Sequence, residues 1–233
     1  MTSTLARGLA AALLVAAAAA CGGAQGAAGT APTPRSASTS AGLPPDSVRY
    51  ATRYGYTEAD VRFMTEMIGH HAQAIVMSRL APERAESPAI RTLAARIINA
   101  QRDEIASMQT WLRDRGRPVP SPDTTGAHAG HDMGGMQGME HGAHAAMPGM
   151  LTAAQLTQLA QARGPVFDRL FLQFMIQHHR GATSMVEQLF AADGAGQDEG
   201  VFKLASDINV DQVTEIARME RMLVDVLTAG GAP

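Results

Sequence analysis

Residues 63–77 of this 233-residue sequence read FMTEMIGHHAQAIVM, and residues 171–185, which begin 108 positions later, read FLQFMIQHHRGATSM. Seven positions are identical in register, and they include two adjacent histidines and two methionines in each copy. Four of the eight histidines of the chain belong to these two pairs. The repetition indicates two related structural units, each organised around a His-His pair.

A helical conformation places both histidines of a copy on its apolar face. At 100° per residue, one stripe of the first copy holds Phe63, Met67, His70, His71, Ala74 and Ser78. The side chains that the two copies offer as metal ligands are His70, His71, Met67 and Met77, and His178, His179, Met175 and Met185. The alternative is a packed core face with methionine as gap filler. Because the His and Met pattern occurs twice, we favour the ligand role.

A second helical segment follows each copy. Its inner stripe carries Gln101, Glu104 and Met108 in the first unit and, 111 positions later, Gln212, Glu215 and Met219. Because metal ligands in a bundle core come from facing helices, Glu104, Met108, Glu215 and Met219 are further candidate metal residues. Thr57 with Asp60 has the spacing of a capping box, and Ser87-Pro88 is typical of a helix start. Each unit is then a helix hairpin with an apolar stripe, and pairing the hairpins buries both stripes. We predict an all-α fold: a four-helix bundle built from two repeated helix hairpins.

The domain organisation follows from changes in composition along the chain. Residues 1–20 are a predicted signal peptide, and residues 21–56, rich in Gly, Ala, Ser, Thr and Pro, are a flexible tether. The first hairpin covers 57–116 and the second covers 152–229, so that 57–229 together form one bundle domain. Residues 117–151 connect the hairpins as a long disordered crossover rich in Met and His.

The crossover carries a second set of candidate metal ligands. They are His128, His131, Met133, Met136, Met139, His141, His144 and Met147, embedded in Gly and Ala. Thioether sulfur selects Cu(I), whereas imidazole accepts copper in both oxidation states. The alternative is a low-complexity loop without a ligand role, but the regular spacing favours a soft metal. We therefore predict copper, as Cu(I) or Cu(II), with silver as the second candidate.

The N-terminus resembles an export signal that ends at a lipidated cysteine. An apolar run over residues 9–20 follows Arg7 and is too short to span a bilayer. Cys21, the only cysteine, comes directly after small residues. The alternative is an ordinary signal that leaves Cys21 removed or free. We predict that Cys21 is lipidated and that the protein is attached to the cell membrane, facing the periplasm or the outside.

Motifs of the two hairpins, MIGHH at residues 67–71 and FDRLFLQFMIQHH at residues 167–179, resemble the bacterial secreted family known as domain of unknown function 305. The resemblance covers roughly residues 57–228. It implies a ferritin-like four-helix fold with one or two copies of the His-His motif, and an association of some members with copper binding and copper resistance. Ferritin-like di-iron sites require Glu-x-x-His, which the second helix of each hairpin lacks, and this argues against di-iron chemistry.

Together these features predict an exported, lipid-anchored copper-binding protein that sequesters copper or hands it to a partner protein in the cell envelope. The alternatives are a metal-dependent oxidoreductase that uses the core histidines, and a structural envelope module. No nucleophile–base pair or phosphate loop indicates an enzyme, and the net charge of −3 gives no reason to expect nucleic acid.

For the core we predict a metal site between the first helices of the two hairpins. Its expected ligands are His71 and His179 with Met67 and Met175, supported by the other histidine and second methionine of each copy. Glu104 and Glu215 are expected to accept a hydrogen bond from the far nitrogen of a ligating imidazole. In the competing account, these Glu and His side chains only satisfy each other in a packed core.

Overall fold

The computed structural model describes residues 55–122 and 147–229, and all regular structure in these two ranges is α-helical. The helices are α1 (Glu58–Ser78), α2 (Ala81–Arg84), α3 (Pro88–Asp114), α4 (Ala153–Gln161), α5 (Gly164–Ala191) and α6 (Glu199–Ala229). The predicted signal peptide, Cys21, nearly all of the tether, and the crossover ligands from His128 to His144 lie outside the described residues.

Four long helices form the bundle. Helix α1 packs on α3 and α5 packs on α6, so that each pair is a helix hairpin. The hairpins meet through α1 against α5 and through α3 against α6. The predicted all-α four-helix bundle is therefore confirmed.

Helix starts follow the predicted capping chemistry. Thr57 and Asp60 form a reciprocal capping box at α1, and Thr152 and Gln155 form another at α4. Ser87 stands at the N-cap of α3, but its side chain makes no capping hydrogen bond. Instead, the backbone N–H groups of Glu86 and Ser87 donate to the Asp168 carboxylate at 3.1 and 2.8 Å.

Two aspartates at equivalent positions of the sequence copies join the hairpins. Asp168 on α5 accepts from the turn before α3, whereas Asp60 on α1 accepts from the backbone N–H of Gly196, in the turn before α6, at 2.7 Å. Both side chains are buried. Because each binds backbone of the opposite hairpin, these charge-assisted hydrogen bonds fix how the hairpins dock.

The buried apolar side chains form two clusters. The first includes Phe63, Met67, Met108, Met185 and Ile208, and the second includes Phe171, Met175, Met219, Met77 and Ile97. Side chains that are equivalent in the two sequence copies therefore lie in opposite clusters. The N-terminal part of α1 packs in the first cluster and its C-terminal end in the second, whereas the N-terminal part of α5 packs in the second cluster and its C-terminal part in the first. On each helix the His-His pair lies where this change occurs.

Two local features differ from the sequence-based expectation. The helical pattern of the first copy predicts a helix that runs to about Leu80, but α1 ends at Ser78 and Pro82 lies in the first turn of the short helix α2. Proline is tolerated there because a first-turn N–H has no helical partner. In addition, the crossover does contribute to the core at its C-terminal end, since Met147 and Leu151 are buried.

Candidate metal centre

The four histidines of the repeated motif come together inside the bundle. His70 and His71 on α1, and His178 and His179 on α5, are each 0 or 1% exposed. The rings of His70 and His178 face each other, with centroids 3.9 Å apart and planes inclined by 40°. Within each pair the neighbouring rings are 6.4 and 6.3 Å apart. We call these four side chains the histidine tetrad.

Three members of the tetrad have an oxygen acceptor beside Nε2. His70 Nε2 donates to the Pro148 carbonyl oxygen at 3.0 Å, and His179 Nε2 pairs with Glu215 Oε2 at 2.7 Å. His71 Nε2 lies 2.6 Å from Glu104 Oε2, although the angle of this contact is not that of a hydrogen bond. The two glutamates thus contact His71 and His179, as both the ligand account and the packed-core account predict.

The Nδ1 atoms of the tetrad have no such partners. All four Nδ1 atoms are buried and lack a hydrogen-bond partner among the described residues. Buried polar atoms in native proteins are nearly always hydrogen-bonded, so four unpartnered nitrogens in one place require an explanation. When an oxygen acceptor holds the proton of a neutral imidazole on Nε2, the lone pair is on Nδ1, which is then free to bind a metal ion.

Burial keeps the central histidines neutral. Desolvation, together with the neighbouring His71 and His179, lowers the pKa of His70 to about 3 against the opposing hydrogen bond to Pro148. Desolvation and the other three histidines also lower the pKa of His178 well below its ordinary value. A weak contact with the His70 backbone opposes this second shift but lacks hydrogen-bond geometry. Neutral imidazole is the form that binds metals, so the central pair is ready to act as ligands near pH 7.

Those predicted methionine ligands that lie within the described residues are all buried, but they are divided between the two apolar clusters. Met67, Met108 and Met185 lie in the first cluster, whereas Met77, Met175 and Met219 lie in the second. Met147 also packs in the first cluster. The structure therefore does not gather these thioethers at one point: four lie in the first cluster and three in the second.

The two rings at the centre of the tetrad are not those of the predicted main ligands. His71 and His179 were expected to be the main ligands, but the rings that face each other are those of His70 and His178. Within residues 55–122 and 147–229, no group of three or more His, Cys, Asp or Glu side chains is arranged to hold a metal ion as the structure stands. Binding of one ion by three or four members of the tetrad therefore requires their side chains to move.

Sequence reasoning missed two features of the site. The Pro148 carbonyl oxygen lies 78 residues from His70 in sequence, and nothing in the local pattern indicated this contact. Gln101 and Gln212, which had been assigned to the inner stripes, are 2% exposed and have Oε1 atoms without a hydrogen-bond partner among the described residues. Their buried amide oxygens add to the unpartnered polar atoms of the bundle core.

The family model described as Domain of unknown function (DUF305) matches residues 60–223. The chain belongs to this family. Its matched region holds the entire histidine tetrad together with Glu104 and Glu215. The family resemblance drawn from the His-His motifs is thereby confirmed.

Solved structures similar to this DUF305 protein include a DUF305 fragment and CopM. A DUF305 fragment from Deinococcus radiodurans is 30% identical with a TM-score of 0.59, over 73% of this chain and 98% of that one. CopM in its Cu(I)-bound form is 30% identical with a TM-score of 0.51, over 71% of this chain and 96% of that one. The Cu(II)-bound form of CopM gives 33% identity, a TM-score of 0.51 and the same coverage, and CopM has also been solved in an Ag-bound form.

A curated relative matches only part of the chain. Uncharacterized protein L153 of Acanthamoeba polyphaga mimivirus is 38% identical over 66 residues, which are 28% of this chain and 43% of that protein. The match thus spans less than half the length of the viral protein.

None of the helices in the described part of this DUF305 protein is both long and apolar enough to cross a membrane.

Proposed function

We propose that this DUF305 protein is an exported, lipid-anchored copper-binding protein that sequesters copper or hands it to a partner in the cell envelope. The histidine tetrad is its core site, and the Met/His-rich crossover is its second site. Copper is the cargo of the protein, and the chemistry is ligand exchange on the metal.

The observation that carries the proposal is the set of four buried, unpartnered Nδ1 atoms. A purely structural histidine in a core normally uses both ring nitrogens, because an unsatisfied buried polar group costs about 1–3 kcal/mol. Four such groups at one place are a large cost for a packing role alone. A metal ion bound by two or more of these nitrogens would offset part of that cost.

Oxygen acceptors at Nε2 give the tetrad a feature of ligating histidines. The second ring nitrogen of such a histidine usually donates to a carboxylate or a carbonyl group, which orients the ring and raises its basicity. Pro148 takes this role for His70, and Glu215 takes it for His179. Glu104 lies beside His71 in the equivalent position.

The choice of copper rests on ligand type and on the relatives. Imidazole binds copper in both oxidation states, and thioether sulfur, which the repeated motifs and the crossover both contain, favours Cu(I). CopM, which shares the fold at 30–33% identity, has been solved with Cu(I), Cu(II) and silver bound. The proposal extends that binding to this chain.

Export and lipid attachment rest on the N-terminal sequence. The apolar run over residues 9–20 ends in small residues before Cys21, and the low-complexity tether that follows can separate the bundle from a membrane. A protein held in this way would bind copper outside the cytoplasm.

A competition titration of the full-length apoprotein tests the proposed core site. Cu(I) is added in the presence of a cuprous chelator, and the melting temperature is followed at each copper concentration. Because a ligand that binds only the folded state stabilises it by about 2.7 kcal/mol at 100 times its Kd, copper binding at the tetrad raises the melting temperature. The double variant His70→Gln/His178→Gln is expected to lose this rise and to remain helical.

The matched control is the double variant His128→Gln/His131→Gln, which makes the same chemical change in the crossover. It is expected to bind less copper but to keep the copper-dependent rise in melting temperature. If the tetrad variant gains as much thermal stability from copper as the wild type does, His70 and His178 do not bind copper, and the four Nδ1 atoms do not form the proposed core site.

A further inference from the structure

The end of the crossover lies against the histidine tetrad. Residues 147–151, here called the strap, form a turn between the crossover and helix α4. Met147 and Leu151, at its two ends, are buried, and the Pro148 carbonyl oxygen between them accepts the hydrogen bond from His70 Nε2. The strap thus connects the Met/His-rich crossover directly to a ring of the tetrad.

Glutamines on both helices hold the strap in place. Gln73 on α1 makes two hydrogen bonds to the backbone of Leu151: its Nε2 donates to the carbonyl oxygen at 3.1 Å, and its Oε1 accepts from the N–H at 2.7 Å. Gln177 on α5 donates to the Gly149 carbonyl oxygen at 3.3 Å and accepts from Gln155 at 3.1 Å. Gln73 and Gln177 lie within one turn of the two His-His pairs. The glutamines that hold the strap and the histidines of the tetrad are therefore on the same helical segments.

A pair of glycines allows the strap to approach α5 closely. Gly149 has a φ of +75°, and a Cβ atom built there would lie 2.6 Å from the Gln177 carbonyl oxygen. A Cβ atom on Gly181 would overlap the Pro148 carbonyl group. Gly181 is two residues after His179, and the equivalent position in the first copy is Gln73. At this pair of equivalent positions, the first copy therefore supplies a glutamine that binds the strap, and the second copy supplies the space for it.

The hydrogen bond to Pro148 determines where a neutral His70 carries its proton. A carbonyl oxygen can only accept, and proline has no backbone N–H to offer instead. The proton is therefore on Nε2, and the lone pair is on the buried Nδ1. His178, at the equivalent position of the second copy, has no hydrogen-bond partner at either ring nitrogen among the described residues. The strap thus distinguishes two rings that are otherwise alike.

We propose that the strap is a positioning element of the metal site: it fixes His70 with its proton on Nε2 and Nδ1 free for the ion, and its release controls metal exchange. Pro148 acts on the metal through His70 and is a positioning residue. The exchange part of this inference rests on the proposed copper-binding function, whereas the tautomer part does not.

Two variants loosen the strap by different means. Gln73→Ala removes both hydrogen bonds to Leu151, and Gly181→Ala places a methyl group where the Pro148 carbonyl lies. The matched control is Gln109→Ala, because Gln109 Nε2 donates to the Pro120 carbonyl oxygen at 3.1 Å and so anchors the other end of the crossover. None of the three variants replaces a histidine of the tetrad.

The first measurement uses the full-length apoprotein and needs no metal. Imidazole ¹⁵N chemical shifts report which ring nitrogen carries the proton. In the wild type and in Gln109→Ala, His70 is expected to show the Nε2–H tautomer alone. In Gln73→Ala and Gly181→Ala, it is expected to show both tautomers. Shifts of His70 that are the same in all four proteins would overturn the proposal, whether or not the protein binds copper.

The second measurement is the rate at which the Cu(I)-loaded protein transfers its metal to a cuprous chelator. We expect transfer about tenfold faster in Gln73→Ala than in the wild type, the factor that corresponds to the loss of one or two hydrogen bonds, and no change in Gln109→Ala. Unchanged transfer together with a mixed His70 tautomer would disprove that release of the strap controls metal exchange.

A wild-type protein that binds no Cu(I) would overturn both the proposed function and the inference about metal exchange. The tautomer measurement would still decide whether the strap positions His70. Gln73→Ala gives the answer if Gly181→Ala does not fold.

Discussion

Acidification is expected to destabilise the apoprotein through the central histidines. His70 is neutral and buried in the folded state, where its pKa is about 3, compared with 6.5 for the unfolded chain. Its folded pKa is the lower one, so between these values the unfolded state binds the extra proton and stability falls as the pH falls. Above pH 6.5 both states are neutral at this group, and stability is insensitive to its titration.

The size of the effect follows from the two pKa values. At 1.36 kcal/mol per pKa unit, the complete titration of His70 is worth about 5 kcal/mol, and the part between pH 7.5 and pH 5 is about 2 kcal/mol. His178 has its pKa lowered for the same reason and adds to the loss. Asp211 acts in the opposite direction at the acidic end, since burial and the nearby Glu104 and Glu215 raise its pKa. A loss of this size is a large fraction of a typical domain stability of about 5–15 kcal/mol.

Urea unfolding of the metal-free protein at pH 7.5 and at pH 5, with a chelator present, measures the loss. The variant His70→Gln removes one titrating group and keeps a donor for the Pro148 carbonyl oxygen, so its loss is expected to be smaller by about 2 kcal/mol. If the unfolding free energy of the wild type is the same at both pH values, or if the variant loses as much as the wild type does, His70 is not a buried neutral histidine and the reasoning fails.

Three further predictions concern the remaining parts of the protein. In a chelator competition, Glu215→Gln is expected to weaken copper binding about 10- to 100-fold, and Glu104→Gln is expected to weaken it less. The reason is that, of the two glutamates, only Glu215 has hydrogen-bond geometry to its histidine. Equal losses of affinity in the two variants would contradict this. Deletion of residues 126–146, which spares the strap, is expected to lower the number of Cu(I) ions bound and to leave the copper-dependent rise in melting temperature; an unchanged number would exclude the crossover as a site. Cys21→Ser is expected to move the protein from the membrane fraction to the soluble fraction on cell fractionation, and a wild-type protein absent from the membrane fraction would refute lipid attachment.

Much of the fold was predictable because the local signals agree with each other. The capping box at Thr57, the helix start at Ser87-Pro88 and the apolar stripes all place helices where the structure has them. The same stripes predicted that both members of each His-His pair are buried, and that Glu104 and Glu215 lie near them. These features depend on helical periodicity, which sequence spacing reveals directly.

The arrangement inside the site was less predictable. Adjacent residues on a helix point about 100° apart, so a modest rotation of α1 or α5 about its axis decides whether the first or the second histidine faces the partner helix. The structure puts His70 opposite His178, whereas His71 and His179 had been expected there. The strap was missed because it depends on a backbone carbonyl, two glycines and a glutamine that are far apart in sequence.

The most direct test of the central claim is a crystal structure of the Cu(I)-loaded protein, with anomalous scattering recorded at the copper edge. We expect an anomalous peak within the bundle, at bonding distance from the Nδ1 atoms of at least two of His70, His71, His178 and His179. We also expect Glu215 to remain hydrogen-bonded to Nε2 of His179. A fully loaded protein without a peak near these four rings, in which the tetrad keeps the geometry of the apoprotein, would contradict it.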